Sequence, residues 1–417
     1  MQGPWWRSFR DPILDLLVEE TLYKNFSLKQ AMARIKQARA VRRLSGAQLG
    51  PELLGFSSAS GGWQEESQRS RNIELGFDLS WEMDVWGRLA AIENSDRLEA
   101  VATEYDLAAL RLLLSGEVAE TYFRLLEQAL TIELLDRQIE ASESNLDFIQ
   151  YSFGYGQSPS VDVLQQREQL ASVRAQKPRP ESDLRVFQHR LAVLVGSFPT
   201  GGTMEGVFDY PEVDSDLAVG VPSEVLMERP DLRSEAARLA SVDRRIAAAI
   251  ADCYPRVRIG GDAGRRSTVN PSTLFANALM DAAGPIFDSG RRQSVVDLRR
   301  AEFEERLARF DQVFLQAVEE VENALWREHH QRELIEALEE QLRTGENLLT
   351  ESRAQYAQGA SSSRGASSDY LSVLGALQSV QRIEREVLSR RRELLSVRVQ
   401  LHLAIGGPME PAARGPS

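Results

Sequence analysis

Between Asn72 and Trp86 the sequence alternates apolar and polar residues without an exception, and this run restricts the possible folds more than any other feature. Successive side chains of a strand point to opposite faces, so the run predicts one long β-strand. It exceeds the roughly 5–6 residues of a typical soluble strand and suffices for the roughly 9–11 residues of a transmembrane barrel strand. The apolar face carries Ile73, Leu75, Phe77, Leu79, Trp81, Met83 and Val85.

The other face of this strand is acidic. A row of carboxylates is stable only against water or charged partners, so a water-filled lumen is the predicted surrounding of this face. The predicted lumen-facing acids are Glu74, Asp78, Glu82 and Asp84. The alternative is an edge strand of a soluble β-sandwich.

The chain also repeats itself at a distance of about 200 residues. Pro51 matches Pro255, each before a short alternating strand, and Gly87-Arg88 matches Gly290-Arg291, each before a long helical stretch. Two further pairs follow in the same order: Gly156 matches Gly359, and residues 191–196 match 401–406. Each half is therefore predicted to hold a helix, a β-hairpin, a very long helix, a tight turn and a helix.

These patterns set the predicted boundaries. The first repeat is residues 1–198, with helices about 11–49, 88–151 and 158–196 and a hairpin about 51–86. An inter-repeat linker, 199–221, is rich in Gly, Pro and Asp. The second repeat is residues 222–407, with helices about 222–252, 291–357 and 367–405 and a hairpin about 255–287, before a disordered tail, 408–417.

The two longest predicted helices are too long for a globular core. Each runs for some 60 residues without proline, which gives a rod of about 90 Å at 1.5 Å per residue. Spacings of three and four residues predict a coiled-coil seam, through Leu307, Phe310, Phe314, Ala317, Val321 and Ala324. The rods must therefore pack side by side in an extended bundle or tube.

Four strands cannot close a membrane barrel, because single-chain barrels need at least about eight. Open strand edges are not tolerated in lipid. If the four strands cross a membrane, sister chains must complete one shared barrel.

Composition excludes several other classes. A net charge of −13 gives no positive field to attract nucleic acid, and the apolar runs are too short for a transmembrane helix. Residues 1–5 lack the features of an export signal, so we expect that an exported form has lost that segment. The lone Cys253 forms no disulfide and is predicted to be a packed thiol.

No cofactor, metal or catalytic site is predicted. Ser, His and Asp are present, but nothing in the sequence brings them together, and an enzyme is the least favoured class. His329-His330 is interpreted as part of a solvated helix face.

Several longer motifs together resemble one family. They are residues 6–12 and 28–40, Trp81 to Arg88, Val221 to Ser223 with Arg229 to Arg233, Gly284 to Arg291, and Glu319 to Leu325. The chain resembles the TolC-like outer membrane efflux proteins, and among them the NodT-type lipoproteins of resistance-nodulation-division systems.

The resemblance implies a mainly α fold with a β-barrel portion. It implies a homotrimer whose α-helical tunnel crosses the periplasm and continues into a shared 12-stranded transmembrane β-barrel, four strands per protomer. The implied function is the outer-membrane exit duct of a tripartite efflux system, conducting small molecules, by default drugs or other amphiphiles. The implied partners are a periplasmic adaptor, an inner-membrane RND pump and outer-membrane lipid. The alternative from another class is a soluble, oligomeric coiled-coil scaffold.

The resemblance also assigns the helix tips. Gly156 and Gly359 match the adaptor-docking turns, although Gly365 is an alternative in the Ser-rich second tip. Asp162 and Asp369 match the acidic ring of the periplasmic gate. An aspartate after a turn can also be a helix N-cap, and this alternative stays open for Asp162.

Overall fold

A computed structural model describes residues 4–62, 70–199, 209–212, 226–268, 272–359 and 366–407. A 3₁₀ helix, Trp5–Phe9, precedes eight α-helices within these ranges. The helices are α1 (Pro12–Lys24), α2 (Phe26–Ala47), α3 (Arg88–Gly154), α4 (Ser160–Gln176), α5 (Pro178–Val195), α6 (Pro230–Ala251), α7 (Arg291–Gly359) and α8 (Ala366–Ala404). The long helices α3 and α7 have 67 and 69 residues.

Four strands form one antiparallel sheet in the order β1-β2-β3-β4. They are β1 (Glu52–Gly62), β2 (Ser70–Met83), β3 (Arg256–Thr268) and β4 (Ser272–Ala283). β2 and β3, from opposite halves of the sequence, pair from Asn72 to Met83, with Asp78 opposite Asp262. The strands β1 and β4 are the outer strands of the sheet.

Two helices that the sequence predicts as continuous are each divided. The predicted helix 11–49 is interrupted at Asn25, whose Oδ1 accepts from the Ser27 backbone N–H at 2.8 Å and thereby caps α2. The predicted helix 158–196 is interrupted at Lys177, directly before Pro178, which has no N–H to donate. Asp11 caps α1 by accepting from the backbone N–H groups of Ile13 and Leu14.

The chain divides into two compact units, and each draws on both halves of the sequence. The helical unit comprises Met1–Lys29, Leu110–Leu226 and Gln316–Ser417, and the sheet unit comprises Gln30–Ala109 and Met227–Leu315. The division into two repeats with the linker 199–221 and the tail 408–417 stays a prediction, since most of the linker and all of the tail lie outside the described residues.

The helical unit has a core of large aliphatic and aromatic side chains. Phe123, Leu125 and Leu126 of α3 are almost completely buried, as are Trp5 and Trp6 of the 3₁₀ helix. The predicted seam of α7 is buried where it lies in this unit, at Ala317, Val321 and Ala324. A separate cluster lines the tip, formed by Ile149, Val163, Leu349, Tyr356, Tyr370, Val373, Leu374, Ala376, Leu377 and Val380.

The sheet unit packs its helices through small residues. Ser95 of α3 and Ser241 of α6 join their hydroxyls at 2.9 Å, and Ala102 and Ala248 are buried nearby in sequence. Small side chains allow two backbones to approach closely. Within the described ranges, none of the helices has both the length and the apolar character needed to cross a membrane.

Candidate functional site

The sheet has one apolar face that is open to the surroundings of the chain. On β2 the side chains of Ile73, Leu75, Phe77 and Leu79 are between 40% and 63% exposed. Large apolar side chains are seldom left exposed in a row on a soluble monomer. This face therefore needs an apolar environment.

The opposite face of the sheet is polar and carries both signs of charge. Glu74 pairs with Arg266 of β3 at 2.8 Å, and Glu82 pairs with Arg88 at 2.6 Å and lies 4.0 Å from Arg258. The arginines belong to the second half of the sequence or to the helix start. The alternation of β2 predicted the acids, but nothing in it indicated which strand would supply their partners.

At the middle of this face two carboxylates are neighbours. Asp78 stands opposite Asp262 in the register of β2 and β3. The side-chain amide of Asn277 on β4 donates to both carboxylate oxygens of Asp262, at 3.2 and 3.1 Å. Like charges directly opposite each other repel, so this level of the sheet carries an excess of negative charge.

Two phenylalanines, Phe56 of β1 and Phe275 of β4, lie on the polar face. Gly76 faces Gly264 across β2 and β3. A Cβ atom on Gly76 would come within 2.8 Å of the Phe56 ring, and one on Gly264 would come within 2.9 Å of the Phe275 ring. The glycines therefore provide the space in which these rings lie.

Asp84 was predicted as one of four lumen-facing strand acids, but it lies outside the strand. β2 ends at Met83, and the Asp84 carboxylate accepts from the backbone N–H groups of Leu89 at 2.9 Å and Ala90 at 2.7 Å. These groups have no partner within the helix, so a carboxylate at this position stabilises the start of α3. Asp84 therefore belongs to the junction between strand and helix.

Aromatic side chains are clustered at the same junction. The indole N–H of Trp81 donates to the Leu49 carbonyl at 2.9 Å, and that of Trp86 donates to the Pro255 carbonyl at 2.8 Å. Trp86 also stacks on Tyr254, with 4.8 Å between ring centroids. Amphipathic aromatic rings at the ends of barrel strands are typical of the interface between membrane and water.

Cys253, next to this cluster, is exposed. The prediction of a packed thiol is therefore wrong, because the residue lies in the exposed turn between α6 and β3. Its thiol is directed to the Ala249 carbonyl at 3.6 Å.

The first helix tip turns at Gly156. Its φ of +69° lies in the left-handed region that favours glycine. The backbone N–H groups of Gly156 and Gln157 donate to the carbonyls of Phe153 and Ser152, both at 2.9 Å, and so close the end of α3. A tight turn follows where the sequence predicts one.

Asp162 lies inside the tip. It is completely buried, and the Tyr356 hydroxyl donates to its Oδ2 at 3.2 Å. Burial raises the pKa of the Asp162 carboxyl, and the hydrogen bond from Tyr356 partly opposes that rise. The N-cap alternative is wrong, because Pro159 is the N-cap residue of α4 and Asp162 is in the first turn.

The buried polar groups around Asp162 form a network between α4 and the second half of the chain. Ser158 and Tyr356 join their hydroxyls at 2.8 Å, and the Tyr370 hydroxyl bonds to the Gln166 side chain at 2.5 Å. Tyr356 and Tyr370 have no local signal in the sequence, since they lie about 200 residues away from their partners. Hydrogen bonding offsets the cost of burying these polar groups.

The second tip is described only in part. Gly359 is the last residue of α7, and Asp369 lies in the first turns of α8. Gly365 and the side chain of Asp369 lie outside the described residues.

A two-faced sheet, interfacial aromatic residues and a closed helix tip are features of an outer-membrane duct. The family model described as outer membrane efflux protein matches residues 17–197 and 221–407, which together cover most of the chain. The chain belongs to the outer membrane efflux protein family. The resemblance to this family is thereby confirmed.

Individual relatives match along nearly the whole chain. The pyoverdine export outer membrane protein OpmQ of Pseudomonas putida is 27% identical, over 97% of this chain and 87% of that protein. Nodulation protein T of Rhizobium leguminosarum bv. trifolii is 25% identical, over 98% of this chain and 89% of that protein. A solved structure of the outer-membrane channel OprN is 26% identical, with a TM-score of 0.90, and covers 98% of this chain and 93% of its own.

The protein is therefore an efflux channel of the outer membrane. Membership in a family of transport proteins replaces the alternative of a soluble coiled-coil scaffold.

Proposed function

We propose that three copies of this chain form one exit duct, with a shared 12-stranded barrel in the outer membrane. The observation that carries the proposal is the two-faced sheet, with exposed Leu75 and Phe77 on one face and paired charges such as Glu74 with Arg266 on the other. The outer strands β1 and β4 have backbone groups that lipid cannot satisfy. Pairing β4 of one copy with β1 of the next satisfies these groups, and three sheets of four strands give twelve.

Disulfide cross-linking between copies tests this arrangement. In a Cys253→Ser background, Ser58→Cys on β1 is combined in turn with Thr273→Cys, Phe275→Cys or Asn277→Cys on β4. Ser58 and Thr273 share a level of the sheet, counted through the strand registers. Within one chain they are three strand spacings, about 14 Å, apart, which is too far for a disulfide.

Oxidation is expected to give cross-linked dimers and trimers and nothing larger. The matched controls are the single-cysteine variants, which are expected to give no ladder. A monomer in detergent by light scattering, with no cross-link from any of the three pairs, contradicts the shared barrel.

The proposed partners are a periplasmic adaptor and an inner-membrane RND pump, which engage the helix tips. Around Gly156 the tip exposes apolar and aromatic side chains, which favours docking of another protein. Tyr151, Phe153 and Tyr155 of this region are between 48% and 68% exposed, and Leu164 is 62% exposed. Leu164→Glu is expected to weaken adaptor binding without changing the oligomeric state. If the adaptor binds the variant and the wild type equally well, docking at this tip is contradicted.

We propose that Asp162 and Asp369 restrict the periplasmic entrance. Three copies of Asp369 at one level repel each other and attract cations, which makes a sensitive constriction. The Asp162 carboxyl acts instead within the tip, where its contact with Tyr356 links α4 to α7. This link supports a closed tip.

Single-channel conductance in planar bilayers tests the gate. Asp369→Ala is expected to raise conductance, because it removes the charged ring. Asp147→Ala, which changes an exposed acid of α3, is the matched control and is expected to conduct as the wild type does. If the conductance of Asp369→Ala is unchanged, Asp369 is not part of the gate.

The proposed cargo is small molecules that pass without a chemical step. The polar face carries arginines and carboxylates together, so it offers water-like surroundings to polar solutes. Transport of this kind is passive through the duct.

A further inference from the structure

Two adjacent histidines, His329 and His330, stand on the exposed surface of α7. Nε2 of His329 lies 3.4 Å from Oε1 of Glu333, and Nδ1 of His330 lies 3.0 Å from Oε2 of the same carboxylate. One ligand atom from each of the three residues lies within 4.8 Å of the others. The chain has only four histidines, so half of them meet at this carboxylate.

An aromatic neighbour holds the two imidazoles in place. Trp326 stacks on His330 with 5.6 Å between ring centroids and 26° between ring planes. The same indole meets His329 edge to face at 6.5 Å. Ring contacts on one side restrict the rotamers of both histidines and leave their nitrogens directed to Glu333.

The charge state of the cluster suits a cation. Glu333 supplies the carboxylate of the cluster, and this carboxylate faces both imidazoles. Arg332, the nearest arginine in sequence to Glu333, directs its guanidinium to Glu328 at 3.0 Å.

We propose that His329, His330 and Glu333 bind one divalent late first-row transition-metal ion, with Cu²⁺ held most tightly. Metal–ligand bonds of about 2.0–2.1 Å place neighbouring ligands about 2.9 Å apart around a square-planar ion such as Cu²⁺ and about 3.3 Å apart around a tetrahedral ion. The two histidine–carboxylate distances already have this size, so small side-chain rotations complete the chelate. Two imidazoles and one carboxylate favour Cu²⁺, Ni²⁺ or Zn²⁺ over Mg²⁺ or Ca²⁺, and the Irving–Williams order puts Cu²⁺ first. Water occupies the remaining coordination positions of this open site.

Cu²⁺ titration of the tag-free, detergent-solubilised full chain tests the proposal. Isothermal titration calorimetry is expected to give one ion per chain. Tryptophan fluorescence is expected to fall in step, because bound Cu²⁺ lies next to the Trp326 indole. His330→Ala and Glu333→Gln are each expected to weaken binding about tenfold or more, the scale of changes at residues of metal sites.

Two matched variants separate this site from other sources of binding. His189→Ala changes an exposed histidine of α5 and is expected to bind as the wild type does. Trp326→Phe is expected to keep the stoichiometry while losing most of the quenching. The proposal is overturned if the variant with both His329→Ala and His330→Ala binds Cu²⁺ with unchanged affinity, or if the wild type binds none.

Discussion

At the scale of single residues, His402 is a buried base that folding keeps neutral. Its Nε2 lies 3.2 Å from the Ser8 hydroxyl, and its ring stacks on Trp5 at 5.4 Å between centroids. Burial, followed by the charge of Arg398, lowers the pKa of His402 to about 4 from the ordinary 6.5. The 3₁₀ helix at the start of the chain thereby rests on a side chain that resists protonation.

The sign of the pH dependence follows from this lowered pKa. Well above pH 6.5 the imidazole is neutral in both the folded and the unfolded chain, so its protonation does not lower the free energy of unfolding. As the pH falls from 6.5 to about 4, the unfolded chain takes up a proton that the folded chain does not. At 1.36 kcal/mol per pH unit, about 3 kcal/mol of stability is lost across this window.

Thermal unfolding followed by circular dichroism at pH 7.5 and 4.5 measures the effect. His402→Gln stays neutral, so the difference between its two melting temperatures is expected to be smaller than in the wild type. His189→Gln, at an exposed position, serves as the control and is expected to keep the wild-type difference. Equal differences in all three proteins would show that His402 does not sense pH.

Single residues differ in how far the sequence reveals them. The Asp11 cap was predictable, because its partners Ile13 and Leu14 are its neighbours along the chain. The burial of Asp162 was not, because its partner Tyr356 is 194 residues away. The exposed histidines at 329 and 330 were predicted as a solvated face, but their meeting at Glu333 needs side-chain geometry.

At the scale of elements, the strands were predicted better than their neighbours. Strict alternation identified β2, and the internal repeat indicated four strands, but neither pattern contains the pairing of β2 with β3. The break at Asn25 also depends on distant contacts, since the Asn25 amide donates to the Leu194 carbonyl at 2.7 Å. Pro178 was a local signal for the second helix break, and the prediction of one continuous helix over 158–196 did not take it into account.

The glycine pair within the sheet gives a prediction at this scale. Gly264→Ala would place a Cβ against the Leu75 carbonyl and within 2.9 Å of the Phe275 ring. Overpacking of this kind costs about 1–3 kcal/mol, so the assembled protein is expected to dissociate at a lower temperature. Semi-native gel electrophoresis after heating measures the change.

Gly55→Ala, on β1 of the same sheet, is the matched control. Its Cβ would meet the Phe77 ring at 3.9 Å, an ordinary contact. We expect this variant to dissociate at the wild-type temperature. If Gly264→Ala does so as well, the rings of Phe56 and Phe275 do not depend on the glycine pair.

At the scale of the whole molecule, charge is distributed unevenly over the polar face of the sheet. Arginines neutralise Glu74 and Glu82, whereas Asp78 and Asp262 face each other. In a trimer this level would carry six carboxylates around one lumen. The sequence shows the acids of β2 and the net charge of −13, but only the strand register shows which acids remain in excess.

We therefore predict that the channel prefers cations and that this level of the barrel sets the preference. A ring of carboxylates raises the local concentration of cations and repels anions.

The reversal potential in a KCl gradient measures this preference. For wild-type channels it is expected to be shifted from zero toward the equilibrium potential of potassium. A variant with both Asp78→Asn and Asp262→Asn is expected to shift it toward zero, since the amides keep the shape of the side chains and remove their charge. Arg265→Gln changes a residue on the same face of the sheet as Leu75, opposite to the face of Asp78 and Asp262, and is expected to leave the potential unchanged. An unshifted potential in the double variant would place the selectivity elsewhere in the duct, whereas a shift in Arg265→Gln alone would reverse the assignment of the two faces.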